Sequence, residues 1–509
     1  MTMLTTDDPS QPCLTIRTWI LGAVSCVLLS FVNQFFNYRT NQISVNSIFV
    51  QILALPVGRW MARVLPPTII RIPLLDWSFS LNPGPFNMKE HVVTVIIANS
   101  GTGGIYAVHI ITILKAFYHR GINVMAAILL TQTTQLLGFG WAGLFRKYLV
   151  DSPYMWWPGT LVVASLFRAL NEEERRVKGG VTRLQFFLIC MICSFSYYIV
   201  PNYFFPAISS ISILCLIWKD SIPIHQIGSG MRGLGVDAIG FDWAIASMIG
   251  SPIAAPTYVF CNVLAGYVIL VYILLPLCYW SNLYDARRFT FLSSHLESIA
   301  SLASSVIANA SYFGTAWWLL SDVPHICETN LLPKGSPWTC PSDTVFFSSS
   351  VIWGVVGPRR MFGPDSIYSG LNYFFLLGLF APATVYLFHR LFLEKKWIRL
   401  INFPVIFAAA GYIPLVKTVN FNCWFIVGFV FNYWVLKHHK QWWGRYAYVL
   451  SAALDAGTSF MAVIAFFTLG NYNINSVNWW GGVTDDYCQL AKCPTELGAY
   501  IPKGCPELQ

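Results

Sequence analysis

Stretches of roughly 20 apolar, almost uncharged residues recur along this chain, the length a helix needs to cross the hydrocarbon core of a bilayer. Such windows lie at 18–36, 43–58, 92–114, 122–145, 154–170, 184–200, 203–218, 244–262, 264–280, 299–320, 371–389, 403–415, 421–437 and 446–470. The expected fold class is all-α, a polytopic transmembrane helical bundle of about 12–14 spans with broken or re-entrant segments. The windows at 203–218 and 403–415 are short and are candidates for broken helices. Composition agrees. Only 11% of the 509 residues are charged, against about 25% in a soluble domain, and the mean hydropathy is +0.55. The 20 Trp, 24 Tyr and 37 Phe suit interface belts and cavity walls.

The net charge of +9 is spread over short connecting segments, which suits loops beside anionic lipid and not a nucleic-acid surface. Arg168, Arg175, Arg176, Lys178 and Arg183 mark one cytoplasmic loop. Arg390, Lys395, Lys396 and Arg399 mark a second, and Lys437, Lys440 and Arg445 a third. Four regions follow: a polar N-terminal tail, 1–16; an N-terminal transmembrane half, 17–297; a C-terminal transmembrane part, 298–470; and a Cys-containing tail, 471–509, facing away from the cytoplasm. The first sixteen residues, with Asp7 and Asp8, lack the basic start and small-residue cleavage site of a signal peptide.

Of 13 cysteines, eight lie in or beside apolar segments, where a thiol packs. Cys327, Cys340, Cys488, Cys493 and Cys505 fall in loops expected outside, where disulfides form. Cys327 and Cys340 are expected to bond, and the odd number leaves at least one of the five unpaired. "NAS" at 309–311 matches a glycosylation acceptor but sits inside a window, which discounts it.

Ionisable groups concentrate in "LNPGPFNMKEH", 81–91. Pro83 and Pro85 remove backbone donors and Gly84 permits unusual dihedrals. At membrane depth, unpaired backbone survives only in protein or beside a water-filled cavity. A helix starting near Lys89 offers N–H groups and a cation to a carboxylate, while Glu90 and His91 are candidates for carrying protons. An extracellular turn with a solvated charge cluster fits the same spacing. Asp455, inside "VLSAALDAGTSFMAVIAF", is the one acid deep in a strongly apolar run. Coupling-ion contact and an interhelical bond both account for it. "GSGMRG", 228–233, fits G-x-G-x-x-G, but without a βαβ context it reads as a flexible or re-entrant pathway segment, given polar character by Asp237 and Asp242. Arg359 and Arg360 in "GPRRMFG" suit carboxylate capture or lipid headgroup contact. His109 and His225 read as structural. "CMIC", 190–193, reads as packing. No catalytic, metal or cofactor constellation emerges, and the chain is read as a non-enzyme.

Several stretches together resemble the oligopeptide transporter family of plants and fungi. They are "DDPSQPCLTIRTWILG", "LNPGPFNMKEHVV", "GSPIAAPTYVFCNVLAGY", "LYDARRF", "FGTAWWLL", "LPKGSPWTCPSD", "VIWGVVGPRRMFG", "LINFPVIFAAAG" and "YVLSAALDAGTSFM". The NPG stretch has the form found in the peptide-transporting clade, not the yellow-stripe metal-chelate clade. The resemblance implies a multi-pass proton symporter of the plasma membrane. Its partners would be small peptides, protons and the lipid bilayer. Glutathione-like tripeptides and metal–peptide chelates are the alternative cargo. Asn82, Pro83, Gly84, Lys89, Glu90 and His91 would line the pathway with Arg359 and Arg360; Glu90, His91 and Asp455 would couple protons. Family members are longer and carry a second signature, KIPPR, absent here. A central block is therefore missing, joined near 296–302. A skipped exon, an erroneous gene model and a shortened isoform all fit. The shortened chain is expected to be impaired or inactive alone unless it assembles with another chain, as a homo-oligomer or with a full-length relative; a non-transporting regulatory partner of such a relative is the alternative.

Overall fold

A computed structural model of the chain describes residues 8–506 except 9, 40–43, 73–76, 152–156, 173–179, 283–286, 288–302, 329–330, 334–335, 358, 361–362, 365–368, 393, 404, 407–415, 473, 475, 484–485 and 496–504. The junction at 296–302, most of the 403–415 window, and Arg175, Arg176 and Lys178 lie outside the described residues. The chain forms two compact units. The first comprises Met1–Trp157, Val163–Arg176 and Glu297–Val355, the second Pro158–Val162, Val177–Leu296 and Val356–Gln509.

In the first unit the helix Ile16–Asn37 starts where the Thr15 hydroxyl accepts the Thr18 N–H, satisfying one of the free donors of a helix start. It lies against Met88–Asn99 and Ala303–Asp322, and Ile48–Val64 lies against Met88–Asn99. Cys26, Ile97, Val108, Ala316 and Leu319 share the core there. Lipid is as apolar as leucine, so close fit and buried hydrogen bonds hold such helices together more than expulsion of water does. The 92–114 window is not one span. The helix stops at Asn99, resumes over Tyr106–Thr112 and continues as a π-helix to Phe117. "SGTGG" between the two pieces carries three glycines in five residues, and glycine is poor helix material. One element lies outside the all-α reading: strands Ile69–Ile72 and Trp77–Ser80 pair antiparallel, Ile69 opposite Ser80 and Ile72 opposite Trp77.

In the second unit Arg183–Ile199 runs along the 29-residue helix Lys440–Thr468. Gly457 sits at the crossing: a Cβ there would lie 2.6 Å from both the Met191 carbonyl oxygen and Ser194 Cβ. Ser194 Oγ also donates to the Leu454 carbonyl at 3.0 Å. One short window is broken, as its length suggests, and two others are corrected. Residues 203–218 hold only a π-turn to Phe204, a 3-10 turn Pro206–Ser209 and a short helix Ile213–Ile217. The pair 244–262 and 264–280 is instead a short helix Trp243–Ala246, an irregular stretch, and one continuous 24-residue helix Thr257–Trp280. Pro252 and Pro256, both following Gly250, account for the irregular stretch. Among the described residues, five helices are long and apolar enough to cross a membrane. Their outer faces are apolar, as with Leu188, Ile189 and Ile192 on Arg183–Ile199, which suits lipid contact. The chain is an all-α polytopic helical protein.

Candidate functional site

The NPG stretch folds in the first unit as a turn between the strand Trp77–Ser80 and the helix Met88–Asn99, with Gly84 at φ +139°, a conformation that side-chain-bearing residues rarely adopt. Asn82 Nδ2 donates to the carbonyls of Ala62 (2.9 Å) and Leu65 (2.7 Å), at the end of Ile48–Val64. Arg17 Nη1 donates to Asn82 Oδ1 (3.0 Å) and to the Gly84 carbonyl (2.8 Å). Arg17 Nη2 lies 2.9 and 3.1 Å from the two Glu90 carboxylate oxygens. Both side chains are fully buried. Glu90 also accepts from Thr15 Oγ1 and from the Asn87 N–H (3.1 Å), and Asn87 caps Met88–Asn99 in return through the Glu90 N–H. This is a capping box with a buried arginine added. Sequence reading had singled out Asn82, Gly84 and Glu90 but not Arg17, although a lone arginine opening an apolar helix was visible: no other charge occurs between residues 9 and 38.

His91 has both ring nitrogens occupied. Nε2 is 2.7 Å from the Gln51 carbonyl, so it carries the proton; Nδ1 lies 3.0 Å from Asn171 Nδ2 and accepts. That assignment rests on the partners and describes a neutral ring. Lys89 Nζ reaches back to the Asp8 carbonyl. Pro83 is exposed at the turn.

Arg359, Arg360 and Asp455 belong to the second unit. Both arginines are exposed, and the Arg359 carbonyl accepts from the Gly363 N–H at 3.0 Å. Asp455 Oδ1 accepts from Trp243 Nε1 at 2.6 Å. Trp243 walls a cavity of about 450 Å³, within the range of small-ligand sites. Tyr197, Tyr198, Asp242, Cys423 and Thr458 line it as well. Asp242 is 7% exposed and holds the local backbone, accepting from the Ala244 N–H (3.0 Å) and from Ser209 Oγ (3.2 Å). Tyr197 donates its hydroxyl to the Phe241 carbonyl at 2.7 Å. Among the described residues, the lining contains neither Lys nor Arg.

One wall of the cavity is the segment that begins at "GSGMRG", and its unwound backbone has unusual partners. The Thr418 hydroxyl is 3.0 Å from the carbonyls of Gly230 and Gly233. Asn422 Nδ2 donates to Gly235 (2.6 Å) and Ala238 (3.0 Å), Asn420 to Ile245 (2.9 Å), Trp424 Nε1 to Gly250 (3.1 Å) and Asn432 to Pro252 (2.8 Å). A single apolar helix, Thr418–Phe429 with its π extension to Val435, thus spends its polar side chains on irregular backbone that lipid would leave unsatisfied. From the other direction Asp486 Oδ2 accepts from Ser229 Oγ (2.7 Å) and the Met231 N–H (3.0 Å). The signal was present as "KTVNFNCW", four polar residues interrupting an apolar run. It identifies a helix with polar business but not the backbone it serves.

Cys327 is bonded to Cys340, Cys493 to Cys505 and Cys215 to Cys488. The last pair corrects the expectation that one of five loop cysteines stays unpaired. Cys215, read as packing within a span, lies instead in the broken 203–218 region, beneath the C-terminal tail. The 13 cysteines therefore resolve into three disulfides and seven thiols. Alkylation in denaturant is expected to label seven cysteines before reduction and all 13 after it, read by intact mass; nine labelled before reduction would mean that one bridge is absent.

The chain matches the family described as OPT oligopeptide transporter protein over residues 13–305 and 295–469. It is 39% identical to oligopeptide transporter 5 of Arabidopsis thaliana, covering 99% of this chain and 95% of that protein. It is 38% identical to oligopeptide transporter 1, with 99% and 94% covered, and 35% identical to oligopeptide transporter 8, with 99% and 96% covered, both of Arabidopsis thaliana. No solved structure matches. The alignment with oligopeptide transporter 5 runs over 714 positions against 509 residues, so more than two hundred positions have no counterpart here. The two matched stretches meet at 295–305, where the sequence reading put the missing block. With nearly its whole length matched, this chain belongs to the OPT oligopeptide transporter family.

Proposed function

We infer that the chain is a multi-pass carrier of short peptides, driven by protons and resident in the plasma membrane. The names of its relatives support peptide cargo. The observation that carries the reading is the cavity of about 450 Å³ in the second unit, walled by Tyr197, Tyr198 and Trp243, with Asp242 as its ionisable acid. Aromatic walls take side chains of varied shape. An acid among them, with no cation among the described lining residues, favours the ammonium end of a zwitterion. The Arg17–Glu90 cluster serves this carrier as a brace for three helix ends, and Asp455 holds the Trp243 wall. The bonded loop cysteines support placing the C-terminal tail and the 205–230 region on the oxidising side.

The test is uptake of labelled tripeptide into vesicles holding the purified chain under an inward proton gradient. Accumulation is expected, and a protonophore is expected to abolish it. Asp242→Asn removes a charged partner worth about 1.5–3 kcal/mol, so half-saturation should rise roughly ten- to hundredfold. An N-acetylated peptide should be weak on the native chain and indistinguishable from the free peptide on the variant. Protonophore-insensitive uptake, or stronger competition by metal-loaded chelates than by peptide, would remove this reading in favour of the metal-chelate alternative.

A second reading has its own observation, the block that relatives possess and this chain lacks. Removing spans exposes helix faces made for neighbours. The 509-residue chain then acts as a non-transporting partner of a full-length relative. Side-by-side uptake by this chain and a version with the block restored separates the two: equal uptake rejects the second reading, while silence together with co-purification of the longer relative supports it.

A further inference from the structure

Away from the NPG turn, the first unit buries a carboxylate that is only half satisfied. Asp343, on the first turn of Pro341–Ser350, is fully buried. Its Oδ1 lies 2.8 Å from His109 Nδ1, and its Oδ2 has no hydrogen-bond partner among the described residues. Leaving a charged oxygen without a partner in low dielectric is costly. The imidazole is well placed. It stacks on Phe346, one turn along the same helix, at 4.6 Å and 10°. It is 20% exposed where Asp343 is 0% exposed, so the ring is the exposed part of the pair. With His109 neutral, Nδ1–H facing the carboxylate, the buried pair carries one negative charge. A proton on Nε2 makes it neutral.

We propose that His109 and Asp343 form the proton-binding site of this carrier, loaded through the exposed edge of the imidazole and emptied when Pro341–Ser350 parts from Tyr106–Phe117. The proton comes from hydronium in bulk water. The Nε2–H bond forms on loading and breaks to water on release, with no other bond changed. Burial pushes the Asp343 carboxyl above its usual range despite the opposing pull of His109, which is the penalty for the anion that loading relieves.

Ionisable groups on the elements packed around the pair are few. The end of Ile16–Asn37 leads to Tyr38, whose hydroxyl is 2.7 Å from Thr112 Oγ1, and to Arg39, whose guanidinium lies over Phe35 and Trp338. Lys115, on the pair's own segment, lies over the Trp317 ring at 3.9 Å and donates to Ser321. Ala303–Asp322 ends in Asp322, and beyond it Glu328 is approached by His119 (3.9 Å) and His325 (4.0 Å). Val124–Leu149 carries no charge before Arg146. Among the described residues, His109 is the basic side chain within 4 Å of the carboxylate.

This rests on the proton-coupled reading above, so its test is read without transport. The full chain in lipid vesicles, labelled with ring-¹⁵N histidine, is titrated by NMR, and the His109 signal among nine histidines is assigned by its loss in His109→Gln. The His109 signal is expected to respond to pH with a midpoint that moves when Asp343→Asn removes the adjacent charge. An unchanged midpoint overturns the proposal. Should Asp343→Asn not fold, the native chain decides alone: a His109 ring in one charge state from about pH 4 to about pH 9 overturns it equally. Where the chain moves peptide, Asp343→Asn is expected to keep peptide exchange and lose uphill accumulation; retained accumulation also overturns it. Normal titration in a chain that moves no peptide leaves the site standing and removes the transport reading.

Discussion

Glu90→Gln is expected to cost the folded protein about 3–5 kcal/mol, the penalty for leaving one member of a buried ion pair uncompensated. Arg17 has no exposed side-chain surface, so its charge cannot turn to water once the carboxylate is gone. The substitution keeps the shape and most hydrogen-bonding capacity of the side chain. It removes the charge that fixes Arg17 and turns one of the two carboxylate acceptors, which serve Arg17, Thr15 and the Asn87 N–H, into a donor. The measurement is thermal unfolding of detergent-purified protein, read as the fraction surviving size exclusion after heating. Arg17→Met should lose a similar amount, and the double variant Arg17→Met/Glu90→Leu should recover much of it, since removing both charges leaves none stranded. The opposite outcome is informative. If Glu90→Gln unfolds at the native temperature and loses only proton-driven uptake, Glu90 is the coupling group and the brace account fails.

Gly457→Leu is expected to be comparably damaging for a steric reason. The first added carbon would lie 2.6 Å from Met191 O and 2.7 Å from Phe195 N, which are backbone atoms that no rotamer change can move. Overpacking of this kind costs about 1–3 kcal/mol, and more where backbone must shift. Separating Arg183–Ile199 from Lys440–Thr468 also breaks the bond from Ser194 to the Leu454 carbonyl and moves Leu454 and Thr458, which wall the cavity. Gly444, on the same long helix, has nothing within 4 Å of an added Cβ. Gly444→Ala should therefore be neutral or gain up to about 1 kcal/mol of helix propensity. Melting and peptide uptake measured on both variants check the pair. Equal behaviour at the two positions would mean that the helices do not meet at Gly457.

Much of this architecture was legible because lipid simplifies the code. A bilayer admits apolar helices and little else, so the spans near 18–36, 184–200, 421–437 and 446–470 correspond to helices. The motifs were specific enough to give the family and the place of the missing block. Hydropathy failed where apolar residues do other work. Residues 244–256 score as greasy but are mostly irregular backbone, and the carbonyls of Ile245, Gly250 and Pro252 are met by Asn420, Trp424 and Asn432, which lie 174 to 180 positions away. No periodicity in the stretch records that match.

The same separation explains the charged groups. Sequence alone determined that Glu90 and Asp455 are acids in apolar company and that such acids need partners, since an isolated charge in a low-dielectric medium is too costly to keep. Which partners they have was decided only by the tertiary fold. Arg17 arrives 73 residues before Glu90, Trp243 212 residues before Asp455, and Cys215 273 residues before Cys488. His109, set aside as a lone histidine, meets Asp343 across 234 residues. Local propensity and hydropathy act over a few turns of helix. The free energy of a buried charge depends on what the folded chain brings within about 4 Å of it, and that is a property of the packing.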